Sequence, residues 1–213
     1  MIKKFCWIAF WCFPVSALAQ DQDLATWLQA GIEIDLPKKF TLDISEEQRY
    51  NIETSDAYAL YSNISLEYKW NKHLFTGAEY RYKTPGAYNA PAHRVATSIT
   101  YRNSFNDFNW NVRTKLQYDI KPDNFETSAW RNKIGLKYDG WKDIKPYVSY
   151  EVFYALLFSG NTFNTIRPEF GVNFQLSKQH EITAYYLIDK NFNEYDPLTL
   201  YVLGLNYLFK FAI

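Results

Sequence analysis

Charged residues stand two apart along this chain: Glu79 with Arg81, Arg113 with Lys115, Arg131 with Lys133, and Arg167 with Glu169. A β-strand sends successive side chains to opposite faces, so this spacing puts both members of each couple on one face. Glu151 and Glu181 share that parity on their own segments, and Arg49, Glu67, Arg94 and Arg102 are expected to join them. A wall of mixed charge supports two readings. The groups can pair and fill a narrow interior, because a buried charge is costly unless partnered. Alternatively, rings of Arg and Glu can orient a small polar solute or screen ions by charge. The candidate lumen and binding residues are Glu79, Arg81, Arg94, Arg113, Lys115, Arg131, Glu151, Arg167 and Glu169.

Catalytic and metal chemistry find less support. His73 and His180 sit beside short turns, and His93 ends a long loop with Ser98 on the same strand. A spacing of five puts His93 and Ser98 on opposite faces, so an enzyme would need His93 to meet a nucleophile or acid from another strand. His180-Glu181 opens like a zinc motif, but no second His follows at the required place. Glu194 and Asp196 share a loop that suggests a cation site, without further oxygen ligands in view. The loop 84–91 carries Tyr88 between Pro85 and Pro91, which suits ligand contact or a stiff surface loop equally. Asn63-Ile64-Ser65 fits a glycosylation acceptor but lies within a strand-like segment. The expectation is no enzyme, no cofactor and no metal.

The elements that would hold the charges are strands. Phe108, Trp110, Val112, Thr114, Leu116, Tyr118 and Ile120 fall on one parity, while Asn109, Asn111, Arg113, Lys115, Gln117 and Asp119 fall on the other. One side is oily with aromatics at its ends, as a bilayer with aromatic girdles demands; the other must face water or paired charge. The segments around Trp130 to Tyr138 and Ile166 to Leu176 repeat the pattern. In 144–158 it blurs, because Tyr147, Phe153, Ala155 and Leu157 fall on the polar parity. Strand-like segments are expected at 24–36, 40–49, 58–70, 74–83, 94–103, 108–120, 130–139, 144–158, 166–176, 181–189 and 198–211. Short turns alternate with longer loops rich in Gly, Pro, Asn and Asp, which is how outer-membrane barrels are built, with short turns periplasmic.

The N-terminus suits the same compartment. Lys3 and Lys4 precede an apolar run, and Ala17-Leu18-Ala19 offers small residues for cleavage, so 1–19 is expected to be a signal peptide and 20–213 a single barrel domain. Both cysteines, Cys6 and Cys12, would leave with it. Lys and Arg total 23 against 23 Asp and Glu, a balance that argues against a nucleic-acid partner. No later stretch reaches the ~18 apolar residues of a membrane-spanning helix. Aromatics nevertheless make up 19% of the chain, which a barrel with one face in lipid accommodates.

The last segment carries Gly204, Tyr207 and Phe209, which resembles the C-terminal signal read by the outer-membrane insertion machinery, although Ala212 and Ile213 follow Phe211. The motifs Glu47-Gln48-Arg49-Tyr50, Glu79-Tyr80-Arg81-Tyr82, Tyr150-Glu151-Val152-Phe153 and Arg167-Pro168-Glu169-Phe170-Gly171, with the closing Leu176-Ser177-Lys178, resemble a family of small bacterial secreted proteins described as a domain of unknown function. Its members look like outer-membrane barrels, and the resemblance implies fold and location without an activity.

The expected fold is an all-β, antiparallel up-and-down transmembrane barrel of 10–12 strands, monomeric, in outer-membrane lipid. Eleven segments conflict with the even number usual in bacterial single-chain barrels, so 10 or 12 is favoured. The expected role is structural, or a narrow channel for a small polar solute. The alternative is a secreted lipocalin-like barrel with the apolar parity turned inward onto an apolar ligand.

Overall fold

The computed structural model describes residues 22–52, 56–84, 91–120, 127–156, 161–193 and 197–213. Among them are eleven strands: β1 (Gln22–Leu36), β2 (Phe40–Asn51), β3 (Asp56–Lys69), β4 (Leu74–Thr84), β5 (Ala92–Phe105), β6 (Phe108–Ile120), β7 (Thr127–Tyr138), β8 (Ile144–Leu156), β9 (Thr162–Gln175), β10 (His180–Asn191) and β11 (Thr199–Ala212). Each pairs antiparallel with the next in sequence, and β1 pairs with β11 to close the barrel. The expected signal peptide (1–19), Leu157, and Glu194 with Asp196 lie outside the described residues, as does most of the loop 84–91.

The favoured even strand number gives way to 11, inside the expected range. In a meander each strand reverses the last, so with an odd number the first and last run the same way. β1 and β11 do so, in register from Gln22↔Thr199 to Asp35↔Ala212. Both run from the long-loop rim to the short-turn rim. A parallel ladder satisfies the two edges that an odd count leaves.

Polarity follows the alternation. On β6, Val112 and Leu116 are 43% and 52% exposed, while Lys115 and Gln117 are 6% and 8% exposed. The apolar parity therefore faces outward and the charged parity inward, the reverse of what a lipocalin-like binder requires. This is the polarity of an outer-membrane-type barrel. Aromatic clusters band both ends of the outer wall. Phe40, Tyr68 and Trp70 touch near the turn rim, as do Phe108, Tyr138 and Trp141. Near the loop rim, Tyr154 packs edge-on between Trp130 and Phe163.

Turns and glycines shape the wall locally. Asn106 takes φ 50° in the two-residue turn between β5 and β6, a conformation that Asn tolerates better than most residues. Tyr185 faces Gly204 across the β10–β11 ladder, and Tyr147 faces Gly171 across β8–β9. A Cβ at either glycine would fall into the neighbouring tyrosine ring. The missing side chains let both rings lie flat on the inner wall instead of projecting across the lumen.

Candidate functional site

The lumen is divided. Its loop-side half is packed: Ala25, Val202, Leu187 and Trp27 form a cluster exposed by 4% or less, with Tyr58, Tyr185 and Leu200 against it. Trp27 Nε1 donates to the Tyr58 hydroxyl at 2.8 Å. Three guanidinium groups lie on the rings. Arg49 stands 3.6 Å above Trp27, Arg131 4.2 Å above Phe153, and Arg167 4.7 Å from Phe153. A desolvated cation on a ring face contributes about 2 kcal/mol. Carboxylates then balance the charge. Glu47 pairs with Arg49 and Asp189 with Arg167, both at 2.6 Å.

Glu151, only 3% exposed, joins the two halves. It accepts from Arg131 Nη2 at 2.8 Å and Nε at 3.1 Å, and from Arg113 Nη2 at 2.9 Å. Two cations thus share one carboxylate. Phe153 and Ala155, which blurred the polarity of β8 in the sequence, are buried here, and the Phe153 ring is what Arg131 and Arg167 rest on.

Below Glu151 the wall opens into a cavity of about 1160 Å³. Lys72, His73 and Ser104 border it at the short turns, and Glu79, Lys115 and Ser149 lie farther in. Lys115 Nζ donates to Glu79 at 2.5 Å. Glu169 accepts from Lys133 Nζ at 3.2 Å and from the Tyr147 hydroxyl at 2.6 Å. Lys210 and Asn173 bond Glu181 at 3.0 and 2.9 Å, and Arg102 makes a two-pronged pair with Glu67 at 3.0 and 2.6 Å. Four buried polar atoms of cavity-lining residues have no partner among the described residues: Glu79 Oε1, Arg113 Nε, Ser149 Oγ and Asn206 Oδ1.

The nine candidate residues therefore separate. Glu79, Arg113 and Lys115 line the cavity. Arg131 and Arg167 belong to the packed half, Glu151 bridges the two, and Glu169 is held by Lys133 and Tyr147. Arg81 donates to Asn63 at 2.5 Å and stands 5.1 Å from the Tyr61 ring. Arg94 pairs with Asp119 at 2.5 Å, nearer the loop rim. The search for full charges passed over Asn111, Ser149 and Asn206, which line the cavity on the same inward parity.

The histidines bond elsewhere. His93 and His180 each place Nδ1 2.7 Å from a tyrosine hydroxyl, Tyr80 and Tyr207 respectively. His73 Nδ1 lies 2.9 Å from the Arg102 carbonyl oxygen. His93 is exposed on the outer parity of β5 while Ser98 lines the cavity. No cluster of three His, Cys, Asp or Glu side chains suited to a metal is present among the described residues.

Residues 24–196 match the model of a family described as a protein of unknown function, DUF2490. The chain belongs to this family. No curated protein sequence matches this family member. Among solved structures it is similar to the outer-membrane expressed OmpT of Vibrio cholerae, at 11% identity and a TM-score of 0.42. That likeness covers 71% of this chain and 54% of the other, so the chain spans about half the length of that structure.

Proposed function

We propose that the protein is a monomeric outer-membrane barrel whose lumen is a one-sided polar cup for a small polar solute, without catalysis. The short turns face the periplasm and the cup opens there. In this reading residues 1–19 are a cleaved signal peptide, and the last strand, with Gly204, Tyr207 and Phe209, is the segment taken by the insertion machinery. The division of the lumen carries the proposal. Trp27, Leu187 and Val202 pack the loop-side half while about 1160 Å³ stays open beside the turns. A purely structural barrel of this width could fill both halves with side chains, as small barrels do.

Two experiments test it. The mature protein from isolated outer membranes, run unboiled against boiled, is expected to show a compact species that shifts on boiling. Soluble material without a shift would end the membrane reading. In planar bilayers the folded barrel is expected to conduct weakly, and Trp27→Ala combined with Phe153→Ala to conduct more. A large steady conductance in the unaltered protein would overturn the closed cup.

A further inference from the structure

We infer that the cup holds an oxyanion subsite on its β6–β8 wall, made to receive the carboxylate or phosphate group of a small solute. The inference rests on the cup reading and adds the ligand's charge and its position.

The ladder places inward side chains in rows. One row runs Arg113, Lys133, Glu151 and Arg167 across β6 to β9; the next toward the turns runs Asn111, Gly135, Ser149 and Glu169; the third runs Asn109, Lys137, Tyr147 and Gly171. In the middle row Gly135 and Ser149 are short, between Lys133 with Glu151 in one row and Lys137 with Tyr147 in the other. The Asn111 side chain lies over Gly135, where an added Cβ would stand 3.0 Å from its amide nitrogen, and Ser149 stands beside them.

Donors border this stretch of wall. Ser149 is 8% exposed, lines the cavity, and its hydroxyl has no partner. Arg113 lends Nη2 to Glu151 but leaves Nε unpartnered. Lys137 lines the same wall; its charge acts on Asp139 and Glu181, whose ion pairs are made with Lys145 and Lys210. The neighbouring acids are already held: Glu151 between Arg113 and Arg131, and Glu169 between Lys133 and the Tyr147 hydroxyl. Farther round the cavity, Glu67, Glu79 and Glu181 are paired with Arg102, Lys115 and Lys210. This stretch of wall thus combines unfilled donors with an excess of positive charge. An oxyanion supplies what both lack, through short charge-assisted hydrogen bonds.

Titration calorimetry of the barrel folded in maltoside micelles tests this, with inorganic phosphate and acetate as separate probes. Binding of either is expected, and which one binds more tightly tells phosphate from carboxylate preference. Ser149→Ala and Lys137→Gln are each expected to weaken the preferred probe about tenfold, the weight of one hydrogen bond to a charged group. Lys137→Arg should keep most of the affinity, and Lys178→Gln, on an exposed turn away from the cavity lining, should change it by less than about twofold, as expected for a screened surface charge. No binding of either probe by a barrel that still shifts on boiling would overturn the subsite while leaving the membrane reading standing. Equal losses in Lys178→Gln and Lys137→Gln would overturn it too, since they would mean diffuse attraction instead of a site.

Discussion

The two halves of the lumen are built from the same alternating strands and end up with opposite characters. On the loop side, inward positions hold Trp27, Phe153, Leu187 and Val202, and Arg49, Arg131 and Arg167 each lie on a ring and meet a carboxylate. On the turn side, inward positions hold Asn111, Gly135, Ser149 and Asn206, and the ion pairs stand along a wall around open space. A charge ladder does not by itself make a channel or a plug. The uncharged residues between the charges decide which, by filling or leaving the volume.

Substitutions can break that contrast in order of size. Glu151→Gln removes the one carboxylate that neutralises both Arg113 and Arg131, and the loss of a buried ionic partner costs about 3–5 kcal/mol. Urea unfolding of the barrel in lipid vesicles should show it as the largest fall in midpoint. Gly204→Ala forces the Tyr185 ring off the wall. Overpacking of this kind costs about 1–3 kcal/mol, and Tyr185→Leu in the same chain should recover much of it. Arg102→Ala breaks the turn-side pair with Glu67, but that arginine side chain is 45% exposed. Its effect should stay below about 1 kcal/mol. If Arg102→Ala equals Glu151→Gln, the two halves do not differ in the way described.

The smallest effect is one of pH. Asp139, in the turn after β7, is held below its ordinary carboxyl value of 3.8 by the hydrogen bond from Lys145, whose Nζ lies 2.6 Å away. A depressed folded value means that the contribution is full above the ordinary one and is lost as pH falls through the depressed one. Stability curves of the parent and Asp139→Asn should therefore differ slightly at neutral pH and converge below about pH 4. Divergence on acidification instead would show that Asp139 is not stabilised by Lys145.

Much of this was legible in advance, and the particular residues show why. Phe108 to Ile120 alternates without interruption, and β6 has those same bounds. Parity puts Arg113 and Lys115 on one face, and the structure turns that face inward. β8 was harder to read, because Phe153 and Ala155 occupy inward positions where charge was expected. Their reason lies on other strands, in Arg131 of β7 and Arg167 of β9. Gly204 had a sequence reading as part of an assembly signal, and the structure adds a packing role beneath Tyr185. Ser149 carried no signal at all, since a serine on an inward parity is unremarkable until its hydroxyl is found unpartnered.

The sequence alone determined the strands, which residues share a face, and the alternation of turns and loops, because these follow from a period of two and from local turn chemistry; it left open which face turns inward. The parallel closure of β1 on β11, the pairing of each charge, and the split of the lumen into packed and open halves were decided by the tertiary structure. Each depends on which residues share a row across neighbouring strands. That register is set by closing the whole ring, and no single segment contains it.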